Sequence, residues 1–199
     1  MALTKLNNKA VANVTSIPVA LGDMVLVSSA TASASASIEF TLGNYKEYQF
    51  YFVNIHPSAA DSNLQFQVST DGTNFGIAKT STFFRAYNDE TGASYALQIQ
   101  DAGGFQLAQS TSAQRITLNT GNDNDMCVNG YMKLFNPSST TYVKHYISNT
   151  VNYEKSGAGY VENCYVGGYV NTTSALQKIK FTESGGNIDD GKILMFGIN

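Results

Sequence analysis

Apolar and polar residues alternate along much of the chain, which is the two-residue period of half-buried β-strands. Every second residue of the segment 38–42 is apolar, and the same alternation returns over residues 64–68. The second segment runs on to Asp71 and Gly72, a pair that suits the positive φ angles of a tight hairpin turn. The pattern therefore predicts two strands and a turn at which the chain reverses.

Residues 47–55 are apolar on both faces, with Tyr51, Val53 and Ile55 together on one of them. A strand of this kind is usually buried on both sides. We therefore predict a central strand, buried between two sheets or at a subunit contact and ended by Pro57.

Further alternating stretches follow, separated by glycine pairs, an Asn-Pro-Ser turn and an Asn/Asp-rich loop at 119–125. They predict strands at Tyr95 to Gln100, Phe105 to Ala108, Gln114 to Asn119, Val128 to Asn136, Tyr142 to Ser148, Gly159 to Val166, Gln177 to Thr182 and Lys192 to Ile198. About ten short strands without a crossover helix predict an all-β sandwich or barrel and exclude a parallel α/β fold.

The two ends of the chain differ in pattern. Residues 1–21 show no sustained period and contain Pro18, so we predict an N-terminal arm, with a frayed terminus as the alternative. The small-residue stretch Ser28 to Ser37 predicts a loop or an extended edge. Residues 22–199 form the predicted domain, and its last strand runs to the C-terminus.

The content of charged residues and the net charge limit the classes of partner that the protein can bind. Charged residues make up 14%, against roughly 25% in average domains, and the net charge is -3 with two arginines in all. Nucleic-acid binding requires clustered positive charge, so this class is excluded. No apolar run reaches the ~20 residues of a membrane-spanning helix, and the N-terminus lacks the apolar core of a secretory signal. We expect folding in the cytoplasm of the cell that makes the protein, with no membrane insertion.

Motifs for catalysis are missing from the sequence. His56 and His145 lie outside any nucleophile signature, and no glycine-rich phosphate loop opens a helix. The acidic residues Glu39, Glu47, Glu154 and Glu162 are scattered, and each is interpreted as a solvated side chain. We therefore predict a non-enzymatic protein without cofactors; a polysaccharide hydrolase with paired carboxylates is the enzymatic alternative.

Metal and disulfide sites have weak support. The loop Asn119 to Asp125 offers oxygen ligands at alternate positions but lacks the glycine and distal glutamate of a helix-loop-helix calcium site. A solvated turn is favoured, with calcium binding as the alternative. Cys127 and Cys164 lack metal-ligand spacing and are interpreted as reduced strand cysteines, although a bridge between them stays open.

Aromatic residues are the main resource for binding, with 12 Tyr and 11 Phe. Tyr153, Tyr160, Tyr165 and Tyr169 lie in a glycine-interleaved segment and are candidate contacts for a glycan or a partner protein. The alternative is that they pack across strands or between subunits.

Three stretches resemble jelly-roll structural proteins of tailed bacteriophages, of the head-decoration, head-fibre and tail-fibre types. They are FQVSTDGTNF at 66–75, VNGYMKLFNPSSTTYVKHY at 128–146 and IKFTESGGNIDDGKILMFGIN at 179–199. The opening MALTKLNN is also similar to the starts of phage fibre proteins. The resemblance covers most of residues 38–199.

This resemblance implies an antiparallel jelly-roll-like β-sandwich with a short N-terminal arm, located on the virion surface. It implies homo-oligomeric assembly, trimeric in many such proteins, and docking on other virion proteins such as capsid or tail proteins. The arm at 1–21 would dock on a neighbour. The alternative is a tail-located receptor-binding module that recognises a host-surface glycan. The resemblance transfers no catalytic residue.

Overall fold

The computed structural model describes residues 24–101, 104–154 and 159–199, which hold twelve β-strands and no helix. The strands are β1 Val25–Thr31, β2 Ile38–Thr41, β3 Glu47–Pro57, β4 Leu64–Ser69, β5 Lys79–Asp89, β6 Tyr95–Ile99, β7 Gln114–Arg115, β8 Val128–Phe135, β9 Lys144–Glu154, β10 Tyr160–Val170, β11 Lys178–Glu183 and β12 Ile188–Ile198. The predicted all-β class is confirmed. The predicted arm, residues 1–21, lies outside the described residues.

The strands form two antiparallel sheets. The larger sheet has the order β1-β12-β3-β8-β9-β10-β5-β6, and the smaller has the order β2-β11-β4-β7. Every ladder between neighbouring strands in both sheets is antiparallel. The C-terminal strand β12 lies between β1 and β3, which confirms that the end of the chain is part of a sheet.

Eight of the strands have jelly-roll connectivity. When β1, β2, β3, β4, β7, β8, β11 and β12 are taken in chain order, one sheet reads first, eighth, third, sixth, and the other reads second, seventh, fourth, fifth. Successive strands thus alternate between the two sheets of a sandwich, except that the fourth and fifth are neighbours in the smaller sheet, which is the double Greek key of a jelly roll. The jelly-roll-like sandwich is therefore confirmed.

The remaining four strands extend the larger sheet beyond the jelly roll. The β5–β6 hairpin is inserted between β4 and β7, and the β9–β10 hairpin between β8 and β11. Both add to the same side of the larger sheet, next to β8, in the order β9-β10-β5-β6. We call these four strands the extension.

The hydrophobic core lies between the two sheets. Phe181 of the smaller sheet contacts Phe50 and Phe52 of the larger one at ring-centroid distances of 5.2 and 5.4 Å. Phe66 packs edge-on against Tyr146 at 5.0 Å. All five side chains are at most 2% exposed. Their burial from opposite sides provides the main driving force that holds the sheets together.

The smaller sheet has only four strands and does not cover the extension. Residues 105–118, which include β7 and the loops on both sides of it, pack there instead. Phe105 packs on Phe83 of β5 at 5.1 Å. On β9, the hydroxyl of Thr150 donates to the Ile116 carbonyl (2.5 Å), and the Asn152 amide donates to the Leu118 carbonyl (2.7 Å). This segment therefore covers parts of the inner faces of β5 and β9 without a further strand.

Most predicted strands are present, but several details were wrong. Phe105 to Ala108 is not a strand, and Gln114 to Asn119 reduces to the two residues of β7. Strand β5 was missed. Strand β1 lies at the edge of the larger sheet and confirms an extended edge for the first residues of the stretch Ser28 to Ser37. Asp71–Gly72 forms a turn, but not a hairpin, because β4 and the following β5 belong to different sheets.

The segment 47–55 is an inner strand of the larger sheet, as predicted, but its two faces are not simply alternating. The ladder between β3 and β8 shifts between Phe52 and Ile55, and Asn54 has a φ of 51°. This β-bulge turns Ile55 to the buried face, whereas Val53 stays 41% exposed on the outer face. The prediction that Ile55 shares one face with Tyr51 and Val53 was wrong.

Candidate interaction surface

The outer face of the larger sheet carries one continuous row of directly paired residues that crosses all eight strands. From β1 to β6, the row is Ser29, Leu194, Tyr51, Tyr131, Asn149, Tyr165, Phe84 and Ile99. Six of the eight are aromatic or aliphatic. We call this set the outer row. Cross-strand neighbours on one face touch, so the row forms a band of mainly apolar surface.

Ring contacts fix the aromatic members of the outer row. Phe84 and Tyr165 stack with ring centroids 5.0 Å apart and planes inclined by 9°. Tyr51 and Tyr131 lie 6.3 Å apart on the jelly-roll side of the row. The rings are held in place by their neighbours, which reduces the conformational entropy lost when a partner packs on them.

Exposed aliphatic residues flank the outer row within the extension. Ile147 and Val151 of β9 are 44% and 40% exposed, and Val161 of β10 is 50% exposed. Phe84 itself is 40% exposed. Single exposed apolar residues are ordinary, but a contiguous group of them on one face of a sheet marks an interaction surface. The extension therefore adds both strands and apolar surface to the jelly roll.

A shallow hollow of about 280 Å³ interrupts the outer row between Tyr131 and Tyr165. Gly167 forms part of it and has no side chain to fill the space; a Cβ there would meet only the Thr82 hydroxyl at 4.0 Å. The complete lining is Thr82, Phe84, Tyr131, Ile147, Ser148, Asn149, Tyr165, Val166 and Gly167. The hollow is thus mainly apolar with a few hydroxyl and amide groups at its sides.

The four predicted contact tyrosines do not form one group. Tyr165 belongs to the outer row. Tyr169 lies on the same face of β10, four residues further along the strand, and its hydroxyl accepts from the Gln109 amide (3.2 Å). Tyr153 donates its hydroxyl to Glu90 (3.0 Å), and this bond raises the pKa of Tyr153. Tyr160 faces the same side of β10 as the buried Glu162, which is the inner side of the sheet. Its ring packs edge-on against Tyr87 at 5.6 Å.

Two acidic residues that the sequence suggested to be solvated are buried. Glu162 is 0% exposed and Glu154 is 8% exposed. Both form ion pairs with Arg85, and the distance from Arg85 Nη1 to Glu154 Oε2 is 3.5 Å. Arg85 also lies over the ring of Tyr87, 4.7 Å from its centroid. The interpretation of these two glutamates as scattered surface residues was wrong, because the β5–β10 and β9–β10 ladders bring them to one guanidinium.

The loop Asn119 to Asp125, predicted as a solvated turn with calcium binding as the alternative, borders an open polar cleft of about 500 Å³. Its lining includes Asp125, Asp189 and Asp190, together with His56 at the end of β3. His56 Nδ1 lies 3.9 Å from Asp189, and its Nε2 lies 3.2 Å from the Asp123 carbonyl. Among the described residues, no group of three or more His, Cys, Asp or Glu side chains is arranged to hold a metal ion.

The two cysteines are both free. Cys164 is buried in the core, and this burial raises the pKa of its thiol to about 12, so it stays protonated and unreactive. Cys127 is partly exposed and accepts from the Asn129 amide at 3.3 Å. The alternative of a bridge between the two is therefore wrong.

The Ser-x-Asp-Gly stretch after β4 is a structural turn. The Asp71 carboxylate accepts from the Thr73 and Asn74 backbone amides, both at 2.8 Å, and from the Ser69 hydroxyl at 2.9 Å. These hydrogen bonds hold the pKa of Asp71 well below its usual range. Gly72 has a φ of 81°, which glycine adopts without strain.

In the part of the chain that the structure describes, no helix is long and apolar enough to cross a membrane. Comparisons with family models, with curated proteins and with solved structures gave no match.

Proposed function

We propose that this chain is a non-enzymatic structural subunit on the outside of a bacteriophage particle, and that it assembles with copies of itself through the outer face of its larger sheet. The observation that carries the proposal is the outer row with its exposed aliphatic neighbours Ile147, Val151 and Val161. A contiguous exposed apolar surface of this kind is typical of a contact that is buried when subunits assemble.

The location on a virion rests on the resemblance of three stretches to phage head-decoration, head-fibre and tail-fibre proteins. The jelly-roll connectivity is compatible with that class but is shared by proteins of other functions. The extension supports a role in assembly, because it enlarges one sheet and places its additional apolar residues on the face away from the core. Docking on capsid or tail proteins would use loops at the ends of the sandwich or residues 1–21.

A catalytic role is disfavoured by how the buried acidic residues are used. Glu154 and Glu162 both pair with Arg85, and Glu162 has no exposed surface, so a substrate could not reach its carboxylate. Glycoside hydrolysis needs two carboxyl groups that flank a bound sugar. This cluster instead joins β5, β9 and β10.

A second function, glycan binding for host adsorption, is favoured by the hollow in the outer row. Sugar sites combine an aromatic ring with convergent polar groups, and here Tyr165 is accompanied by Asn149 and Thr82. Binding of host-surface polysaccharide by the wild-type protein but not by Tyr165→Ala would favour this function over self-assembly. No binding to any such polysaccharide would exclude it.

Acidic substitutions on the outer face test self-assembly. The double variant Val151→Glu, Val161→Glu should weaken self-association at least tenfold, because it would bury carboxylates in an apolar contact. Sedimentation velocity should show the wild-type protein above its monomer mass of 21.4 kDa and the variant at a lower mass than the wild type. Ser37→Glu, Thr41→Glu adds the same charge on the exposed side of the smaller sheet and should assemble like the wild type.

The virion location has its own test. An antibody against residues 22–199 should label purified particles by immunogold electron microscopy. Label over the head would indicate a decoration or head-fibre role, and label on the tail would favour the receptor-binding function. Particles that carry no label would contradict the proposed location.

A further inference from the structure

Strand β6 lies at one edge of the larger sheet. Within the described ranges, β6 pairs with β5 on one side, and no strand pairs with its other side. Its sequence, Tyr95 to Ile99, contains no charge and no proline, and its ladder with β5 has no bulge. Charged residues, prolines and β-bulges commonly prevent the free edge of a sheet from pairing with another chain. An edge strand that lacks all three is suited to pair with another strand.

The free backbone groups of β6 belong to alternate residues. The Gln100 amide donates to the Phe83 carbonyl (2.9 Å), and the Asp89 amide donates to the Ser94 carbonyl (2.9 Å). The even-numbered residues from Ser94 to Gln100 therefore bond to β5. The intervening Tyr95, Leu97 and Ile99 direct their N–H and C=O groups away from the sheet. Each of the three thus offers one donor and one acceptor to an incoming strand.

The same three residues carry the exposed apolar side chains of β6. Tyr95 is 73% exposed, and Leu97 and Ile99 are each 72% exposed. All three lie on the outer face, where Ile99 is the last member of the outer row. The edge and the apolar face therefore meet along one strand.

We infer that β6 pairs antiparallel with β6 of a second copy of this chain, about a two-fold axis through Leu97. This inference rests on the proposed function, since it names one surface by which the copies assemble. The two larger sheets would join into one continuous sheet, with their apolar outer faces side by side. A two-fold contact is isologous, so it predicts an even number of copies rather than the trimer that the resemblance implies.

The occupant follows from the self-complementarity of the strand. With Leu97 opposite Leu97, Tyr95 lies opposite Ile99, and every outward side chain meets an apolar one while Ala96 meets Gln98. The backbone groups of these residues also match, because a hydrogen-bonded antiparallel pair exchanges both bonds. Shifting one strand by two residues relative to the other breaks this match. In one direction Tyr95 would lie opposite the charged Asp101, and in the other direction Ile99 would lie opposite the small Ala93.

Cysteine substitution tests the pairing and its register. In a Cys127→Ser background, Leu97→Cys should form a disulfide-linked dimer on mild oxidation, because paired Cα atoms lie about 5.5 Å apart, within the range of a disulfide. Tyr95→Cys alone should not cross-link, since its two copies would be ~13 Å apart. A mixture of Tyr95→Cys and Ile99→Cys should cross-link as a heterodimer.

A charge on the axis gives an independent measurement. Leu97→Lys should weaken self-association at least tenfold, and its melting temperature should stay near that of the wild type because the side chain is exposed. If Leu97→Lys and Leu97→Cys behave like the wild type while the Val151→Glu, Val161→Glu variant dissociates, β6 pairing is overturned but assembly through the outer face stands. A wild-type chain that stays monomeric at every concentration overturns both.

Discussion

Replacing Gly168 by alanine should destabilise the fold by about 3 kcal/mol, at the upper end of the usual cost of overpacking. A Cβ at this position would lie 2.5 Å from the Thr80 carbonyl oxygen and 2.6 Å from the Tyr146 hydroxyl. The tyrosine ring is buried and donates to Gln114, so it cannot move aside without breaking that bond. The melting temperature should fall by roughly 6–12 °C for a chain of this size.

The neighbouring glycine provides the matched control. Gly167→Ala changes the same residue type in the same strand, but its Cβ would point to the outer face, 4.0 Å from the nearest atom. Its free energy of unfolding should stay within about 0.5 kcal/mol of the wild type. Chemical denaturation of both variants measures the difference, and equal stabilities would contradict the tight packing of Tyr146 over β10.

Replacing Glu183 by glutamine should remove a pH dependence of stability and stabilise the protein above neutral pH by on the order of 3 kcal/mol. Glu183 is 6% exposed at the end of β11, and burial raises the pKa of its carboxyl from 4.5 to about 7. The Ser62 hydroxyl donates to one carboxylate oxygen at 2.7 Å, and the other has no partner within the described residues.

The sign follows from linkage. The folded state holds the Glu183 proton more tightly than the unfolded state, so this residue's contribution to stability is fully present below pH 4.5. It is lost as the pH rises to about 7 and is constant above that. Unfolding free energies of wild type and Glu183→Gln should therefore diverge across pH 4.5–7. Glu39→Gln, which alters an exposed carboxylate, should follow the wild type; parallel curves for Glu183→Gln would contradict the buried acid.

The sequence predicted the strands in which apolar residues alternate, and it failed where the inner face is polar. Strand β5 places Lys79, Ser81 and Arg85 toward the interior and Phe84 on the outside, which reverses the usual signal. Lys79 is fully buried and donates to the Ile77 carbonyl (3.0 Å), and burial lowers the pKa of Lys79 to about 8. A strand with such an inner face gives no alternating hydrophobic pattern, so only its pairing with β10 and β6 in the folded sheet identifies it.

The interaction surface was predictable only in part. The glycine-interleaved segment that carries Tyr165 was identified as a binding resource, but the outer row depends on the order of strands from distant parts of the chain. The same holds for Arg85, which meets Glu162 only because β5 and β10 are neighbours. Pairing order is set by the whole fold, so neither group could be derived from local pattern.

Hydroxyl-radical footprinting tests the central claim, burial of the outer face by assembly, most directly. Wild-type protein is compared with the Val151→Glu, Val161→Glu variant, and modification is measured at Phe84, Tyr131 and Tyr165. These rings should be modified several-fold less in the assembled wild type, whereas Tyr142, which is 70% exposed on a loop, should react equally in both. Equal modification of the outer-row rings in the two proteins would contradict the account.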